Sequence, residues 1–118
     1  MRYLFIYRNN ASNEASNFVG YGEQTQELYV TLQVGNRFKD LPEGEYTYAL
    51  VPFYGSDEYY SGMTLKYEGN LLDTLISCPD GDVVLRDLNP ATGIFRIGKI
   101  GTTNTYDGEN NKIYFYEG

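Results

Sequence analysis

The stretch LYVTLQV, residues 28–34, alternates without a break. Leu28, Val30, Leu32 and Val34 fall on one side, and Tyr29, Thr31 and Gln33 on the other. Successive side chains of a strand point to opposite faces, so this period of two predicts a half-buried antiparallel strand with the aliphatic set inward. Working outward, RYLFIYR (2–8) is continuously apolar and aromatic, which predicts a strand covered on both faces. EYTYALV (45–51) follows the turn signal Pro42-Glu43-Gly44. MTLKYE (63–68) alternates Met63, Leu65 and Tyr67 with polar residues. DVVLRDL (82–88), GIFRIGKI (93–100) and KIYFYE (112–117) complete the series, punctuated by Asn89-Pro90 and Asp107-Gly108.

NLLDTLIS (70–77) reads in two ways. As a strand it turns Leu72, Thr74, Ile76 and the following Cys78 inward. As a short helix capped by Asn70 it gathers Leu71, Leu72, Leu75 and Ile76 on one face. The turns Gly69-Asn70 and Pro79-Asp80-Gly81 bracket a strand-length segment and favour the strand. Short strands between Gly, Pro, Asp and Asn turns, with no βαβ rhythm and no long helix, predict an all-β fold. The expected form is one antiparallel, Ig-like β-sandwich of about 7–8 strands spanning residues 1–118. Within strand GIFRIGKI, Gly93 or Gly98 is expected at a bulge or beneath a large neighbouring side chain, because glycine otherwise weakens a strand.

Two segments fit this scheme poorly. Residues 9–26, NNASNEASNFVGYGEQTQ, read as a polar arm or long loop, with room for a short strand at 18–21. Residues 52–62, PFYGSDEYYSG, are too long for a hairpin turn, and Pro52 cannot donate to a ladder.

The chain has 118 residues, enough for one core without a disulfide or metal. Its single cysteine, Cys78, reads as a small buried apolar side chain. No signal-peptide core or membrane-length apolar run is visible, so synthesis and folding in the cytoplasm are expected. With 16 acidic and nine scattered basic residues, the net charge is −7. Nucleic acid binding needs a cationic footprint, and anionic membranes would repel such a chain; neither is an expected partner.

Histidine is absent. That removes Ser-His-Asp triads, Cys-His dyads and His-based zinc sites. No phosphate loop or dinucleotide fingerprint is present. Asp80, Asp82 and Asp87 around one turn, and Asp107, Glu109 and Asn110 around another, are oxygen-rich as calcium loops are. Asp-Gly is also the ordinary residue pair of hairpin turns, and no metal or cofactor is expected.

Five of the 13 tyrosines lie in EYTYALVPFYGSDEYYSG (45–62). Tyr46 and Tyr48 alternate with Leu50 and read as cross-strand packing residues, as do Tyr114 and Tyr116. Tyr54, Tyr59 and Tyr60 sit among Gly, Ser, Asp and Glu, the composition of contact loops. They are expected to face outward, and Phe53, Tyr54, Asp57, Glu58, Tyr59 and Tyr60 are the candidate partner-binding residues.

Gly44-Glu45-Tyr46-Thr47-Tyr48, the run Ala91-Thr92-Gly93-Ile94-Phe95-Arg96-Ile97-Gly98 and the aromatic strand Ile113–Tyr116 resemble a set of known motifs. They are similar to small virion-module proteins of phages and prophages of gut Bacteroidetes, crAss-like phages among them. The resemblance covers roughly the second half and one central strand, and the stretch from Tyr54 to Asp87 is longer than its pattern. It implies a β-sandwich, no catalytic residues, and a structural role as a capsid auxiliary or decoration protein in the virion. The expected function is therefore non-enzymatic docking on a larger protein assembly, with homo-oligomerisation as a further option. Two alternatives compete: a carbohydrate-binding or adhesive module, with Tyr54, Tyr59 and Tyr60 stacking on sugar rings, and a small acidic inhibitor protein.

Overall fold

A computed structural model describes residues 1–24, 29–98, 106–107 and 112–116. Seven strands form one sheet: β1 (Arg2–Asn9), β2 (Ala15–Gln24), β3 (Tyr29–Gln33), β4 (Gly44–Pro52), β8 (Ala91–Ile97), β9 (Tyr106–Asp107) and β10 (Lys112–Tyr116). Three shorter strands form a second: β5 (Thr64–Lys66), β6 (Leu75–Cys78) and β7 (Gly81–Val84). The orders are β8-β4-β1-β2-β3-β10-β9 and β5-β6-β7, and every neighbouring pair is antiparallel. The all-β, antiparallel expectation holds. The larger sheet curls into a half-barrel in place of the flat layer an Ig-like sandwich would use, and β8 and β9 at its two ends approach each other.

Val30, Leu32 and Val34 are fully buried, Thr31 is half-buried and Gln33 is exposed, so the alternation of 28–34 is read in the right register. Leu28 and the side chain of Tyr29 lie outside the described residues. β1 is covered on both faces, as its unbroken apolar run predicts. Tyr3, Phe5 and Tyr7 point into the half-barrel with Phe18, Tyr46, Tyr48, Leu50 and Phe95. Phe38, from the connection between β3 and β4, joins them. Its ring stacks on Phe95 at 5.3 Å and 2°, and Phe95 stacks on Tyr46 at 5.1 Å and 13°. The hydroxyl of Tyr46 donates to Pro42 O at 2.7 Å, so this ring is buried with its polar end satisfied. Tyr46 and Tyr48 are thus core residues; the side chains of Tyr114 and Tyr116 lie outside the described residues.

The polar arm is a correction. Residues 15–24 are a ten-residue strand laddered to β1 from Arg2↔Tyr21 to Arg8↔Ala15. Asn9 closes the hairpin: its Oδ1 accepts from Ala11 N at 2.8 Å and Ser12 N at 3.0 Å. Asn13 takes the left-handed conformation, φ 62°, which asparagine tolerates. The strand hides from a hydrophobicity reading because its inward positions carry Phe18 and then Gly20 and Gly22. A Cβ at Gly22 would come within 2.9 Å of the Tyr3 ring, so glycine there makes room for an aromatic. Gly93 in β8 plays the same part: its Cβ would lie 2.7–2.9 Å from the Tyr48 ring end. Gly98 lies just beyond β8 and is exposed.

β4 and β8 are ladder neighbours, so residues 53–90 are an insertion between adjacent strands. The insertion folds back over the outer face of β1 and β4. There Leu4, Ile6, Ala49, Val51 and Phe53 pack against Leu71, Ile76 and Leu85. Burying each of the larger side chains, Ala49 apart, is worth about 1.5–3 kcal/mol. Residues 70–77 combine both expected forms. Asn70 Oδ1 caps a 3-10 turn, Leu71–Asp73, by accepting from Leu72 N, and β6 follows from Leu75. Thr74 joins them while wholly buried; its hydroxyl donates to Leu71 O at 2.6 Å and its carbonyl accepts from Leu85 N at 2.9 Å.

Candidate functional site

The candidate segment begins where β4 leaves the sheet. Phe53 N bonds to Arg2 O at 2.9 Å, and the Phe53 ring turns onto the outer face, beneath the Arg2 guanidinium at 5.3 Å. Arg2 also donates to Gly55 O and pairs with Asp57. Ser56 then caps a single helical turn, α1 (Asp57–Ser61), by accepting from Tyr59 N at 3.0 Å. Gly55 is required in this arrangement, since a Cβ there would come within 2.8–2.9 Å of the Tyr59 and Phe53 rings.

The six candidate residues separate into two groups. Tyr54 is 85% exposed, and Asp57 and Glu58 are exposed beside it in sequence. Phe53 is buried, which is a correction to its reading as a loop residue. Tyr59 and Tyr60 are also corrected: both are half-buried, packed on Phe53 with ring centroids at 6.3 and 5.8 Å. Their hydroxyls are engaged. Tyr59 donates to Asp80 Oδ1 at 2.6 Å, and Tyr60 donates to Asn17 Oδ1 on β2. Asn17 Nδ2 in turn donates to the Tyr67 hydroxyl at 2.7 Å. One amide therefore clamps α1 and the segment after β5 to the large sheet. The aromatic spacing alone could not show this, because the deciding partner, Asn17, lies more than forty residues away.

The electrostatics follow the contacts. The hydrogen bond to Asp80 holds the Tyr59 proton and pushes its pKa well above the tyrosine value, with Cys78 adding to the effect. Burial pushes Tyr60, Tyr67 and Tyr48 up, opposed at Tyr60 by Arg37 and at Tyr67 by the Asn17 hydrogen bond.

Sequence reasoning missed two companions of Tyr54. The Arg2↔Tyr21 register and the Gly22 N to Met1 O bond bring Met1 and Tyr21 to the same end of the sheet. Tyr21 is 64% exposed, and Met1 is exposed as well. The surface also carries a cleft of about 300 Å³ between β8 and the insertion, lined in part by Arg8, Asn70, Leu71, Leu72, Thr92 and Ile94. Smaller clefts of about 240 and 210 Å³ lie beside Asn9 and Glu14 and beside Tyr21 and Glu23.

Among the described residues no three Asp, Glu or Cys side chains gather as a metal site. Asp80 is occupied by the Tyr59 hydroxyl; Glu109 and Asn110 lie outside the described residues. Cys78 is half-buried, less enclosed than the sequence predicts, and packs against the apolar cluster between the insertion and the outer face of β1 and β4. Among the described residues no helix is long and apolar enough to cross a membrane. No family model, curated protein or solved structure matches this chain.

Proposed function

We propose that this chain is a non-enzymatic docking protein that seats on a larger protein assembly, a phage capsid being the assembly its sequence motifs suggest. The observation that carries this reading is the pair Tyr54 and Tyr21, large rings held in water at one end of a rigid sheet. Interface energy concentrates in a few aromatic anchors, and tyrosine presents a large contact area with little entropy to lose. Phe53, Gly55 and Tyr59 fix the loop that carries Tyr54, so the anchor is preorganised. The rings of Tyr59 and Tyr60 are half-buried on Phe53, which leaves Tyr54 alone of the three with its ring faces open to a sugar and weakens the carbohydrate reading.

The test starts from the genes beside its own, which should encode capsid, portal or tail proteins. Particles assembled from that capsid protein should co-sediment with the wild-type chain. Tyr54→Ala with Tyr21→Ala should weaken the association by about tenfold or more, with the thermal midpoint nearly unchanged. Flanking genes of polysaccharide utilisation, or undiminished co-sedimentation of the double variant, would refute the reading.

A further inference from the structure

We propose that the cleft at the Asn9 end of the half-barrel is a binding site for one neutral sugar ring, gripped by a pair of its adjacent hydroxyls. Tyr7, Asn9 and Tyr46 reach the cleft from β1 and β4, Glu14 and Ser16 from the hairpin and β2, and Leu41 from the connection before β4. The ladders set Tyr7 opposite Ser16 and Asn9 opposite Tyr46, so these four side chains share the inner face. Asn9 N bonds to Glu14 O at 2.9 Å, which extends the β1–β2 ladder and continues the inward side to Glu14, two residues before Ser16. The mouths of β-barrels are places where ligand sites form. At about 240 Å³ this cleft is smaller than the ~300–1,000 Å³ of sites for drug-sized ligands, which suits one ring and not an oligomer.

Two polar groups here are buried and unspent. Tyr7 and Asn9 are each 7% exposed. The hairpin takes Asn9 Oδ1, which accepts from Ala11 N and Ser12 N, and so fixes the amide with both Nδ2 donors left over. Among the described residues neither Asn9 Nδ2 nor the Tyr7 hydroxyl has a hydrogen-bond partner, and neither is sealed from water. The Tyr46 hydroxyl beside them is satisfied by Pro42 O. Buried polar groups are ordinarily paired, so two that stay open at a cleft mark positions for a ligand's polar atoms.

The lining selects the chemistry of the ligand. Asn9 Nδ2 and the hydroxyls of Tyr7 and Ser16 donate; the Glu14 carboxylate accepts. An ammonium group carries donors alone and would leave Nδ2 unpaired. An anion would meet Glu14 with no Lys or Arg in the lining, on a chain of net charge −7. A sugar hydroxyl both donates and accepts. Two adjacent ones can donate to the two oxygens of Glu14 while their own oxygens accept from Asn9 Nδ2 and Tyr7, and Leu41 gives the C–H face of the ring an apolar surface. A ligand of about 12 non-hydrogen atoms at ordinary efficiency binds with a dissociation constant of ~1–10 mM. The cleft lies at the opposite end of β1 from the Tyr54 loop and uses no docking residue, so this proposal stands or falls apart from the docking reading.

Proton–nitrogen NMR titration of the full chain tests it, with the methyl glycosides of glucose, galactose and mannose added to ~50 mM. These three differ in whether adjacent hydroxyls are both equatorial or one is axial, so they also read which diol the site takes. At least one should shift the side-chain amide signals of Asn9 saturably, and methylamine and acetate should not. Glu14→Gln and Tyr7→Phe keep the shape of the cleft and should each weaken binding by ~3-fold or more, with the spectrum of each variant reporting its fold. Tyr54→Ala should bind as the wild type does. No saturable shift at Asn9 with any of the three glycosides would overturn the proposal. So would equal binding of methylamine or acetate, undiminished binding by Glu14→Gln and Tyr7→Phe, or binding lost in Tyr54→Ala, which would place the sugar on the loop.

Discussion

Gly93→Ala tests the packing logic of the half-barrel with a single methyl group. The new Cβ would lie 2.7 Å from the Tyr48 hydroxyl oxygen and 2.8–2.9 Å from two ring carbons, well inside van der Waals contact. The end of a long side chain can often swing aside, but this one is held. Tyr48 is buried, stacked on Phe5 at 5.7 Å and 24°, and beside Phe95 at 6.3 Å. Relief therefore requires displacement of the Tyr48 ring or of β8 itself. Overpacking of this kind costs about 1–3 kcal/mol, partly offset by the lower unfolded-state entropy of alanine, about 0.4–1 kcal/mol. A net loss of about 1–2 kcal/mol in a domain of this size lowers Tm by roughly 4–10 °C. Urea melts followed by near-UV circular dichroism measure it, with Gly69→Ala as the control, since nothing lies within 4 Å of a Cβ there. In a double-mutant cycle, Tyr48→Phe should recover part of the loss by removing the nearest atom. An unchanged midpoint for Gly93→Ala, or a loss equal to that of Gly69→Ala, would refute the claim that the glycine exists to admit the tyrosine.

Other outcomes follow from the clamp and the tyrosines. Asn17→Ala should cost about 1–3 kcal/mol, because it strands the hydroxyls of Tyr60 and Tyr67 in half-buried positions; chemical denaturation measures it, and a neutral result would mean that water replaces the amide. Tyr60→Ala should destabilise the fold, whereas Tyr54→Ala should not, a contrast that thermal melts of the two variants show directly. The pH dependence has a definite sign. Tyr48, Tyr59, Tyr60 and Tyr67 hold their protons more tightly when folded than an ordinary tyrosine, whose pKa is 10.0. The folded state therefore binds more protons above that pH, so stability is constant below about pH 10 and falls as pH rises toward the folded-state values. Tyrosinate absorbance and far-UV circular dichroism should change together there; smooth ionisation without loss of structure would contradict the burial of Tyr48, Tyr60 and Tyr67 and the Tyr59–Asp80 hydrogen bond.

The strands that were legible are those whose inward side chains are large. Residues 28–34, 45–51 and 93–97 place Val, Leu, Tyr and Phe at alternate positions, and hydrophobic period reports them directly. β2 was legible only as room for a short strand at 18–21, because its inward positions include Gly20 and Gly22. Gly22 makes room for the Tyr3 ring, a relation visible only once β1 and β2 are paired, and Gly20 for Phe18 in the same strand. Segment 70–77 was ambiguous for a different reason. A 3-10 turn and a strand share eight residues, and the boundary is fixed by Thr74, whose hydroxyl and carbonyl bonds depend on Leu71 and on Leu85 eleven residues later.

The same physics explains the uneven reading of the candidate site. A tyrosine among Ser, Gly and acids satisfies the composition of a contact loop whether its ring is in water or on a core. What separates Tyr54 from Tyr59 and Tyr60 is the single turn of helix that Ser56 caps. Helical spacing sends consecutive residues 59 and 60 to adjacent sides of Phe53, where Asp80 and Asn17 take their hydroxyls. Tyr54 precedes the cap and remains outside. The cap is therefore the local device that divides these aromatics between fold and surface. Ser56→Ala removes its acceptor and should loosen all of α1, at a cost of about 0.5–2 kcal/mol. If Tyr54 binds a partner because its loop is preorganised, that variant should weaken docking with Tyr54 itself intact, and restoring the acceptor with Ser56→Asp should return it. Weakened docking in Ser56→Ala that Ser56→Asp does not rescue would show that position 56 acts by contact with the partner and not by holding the turn.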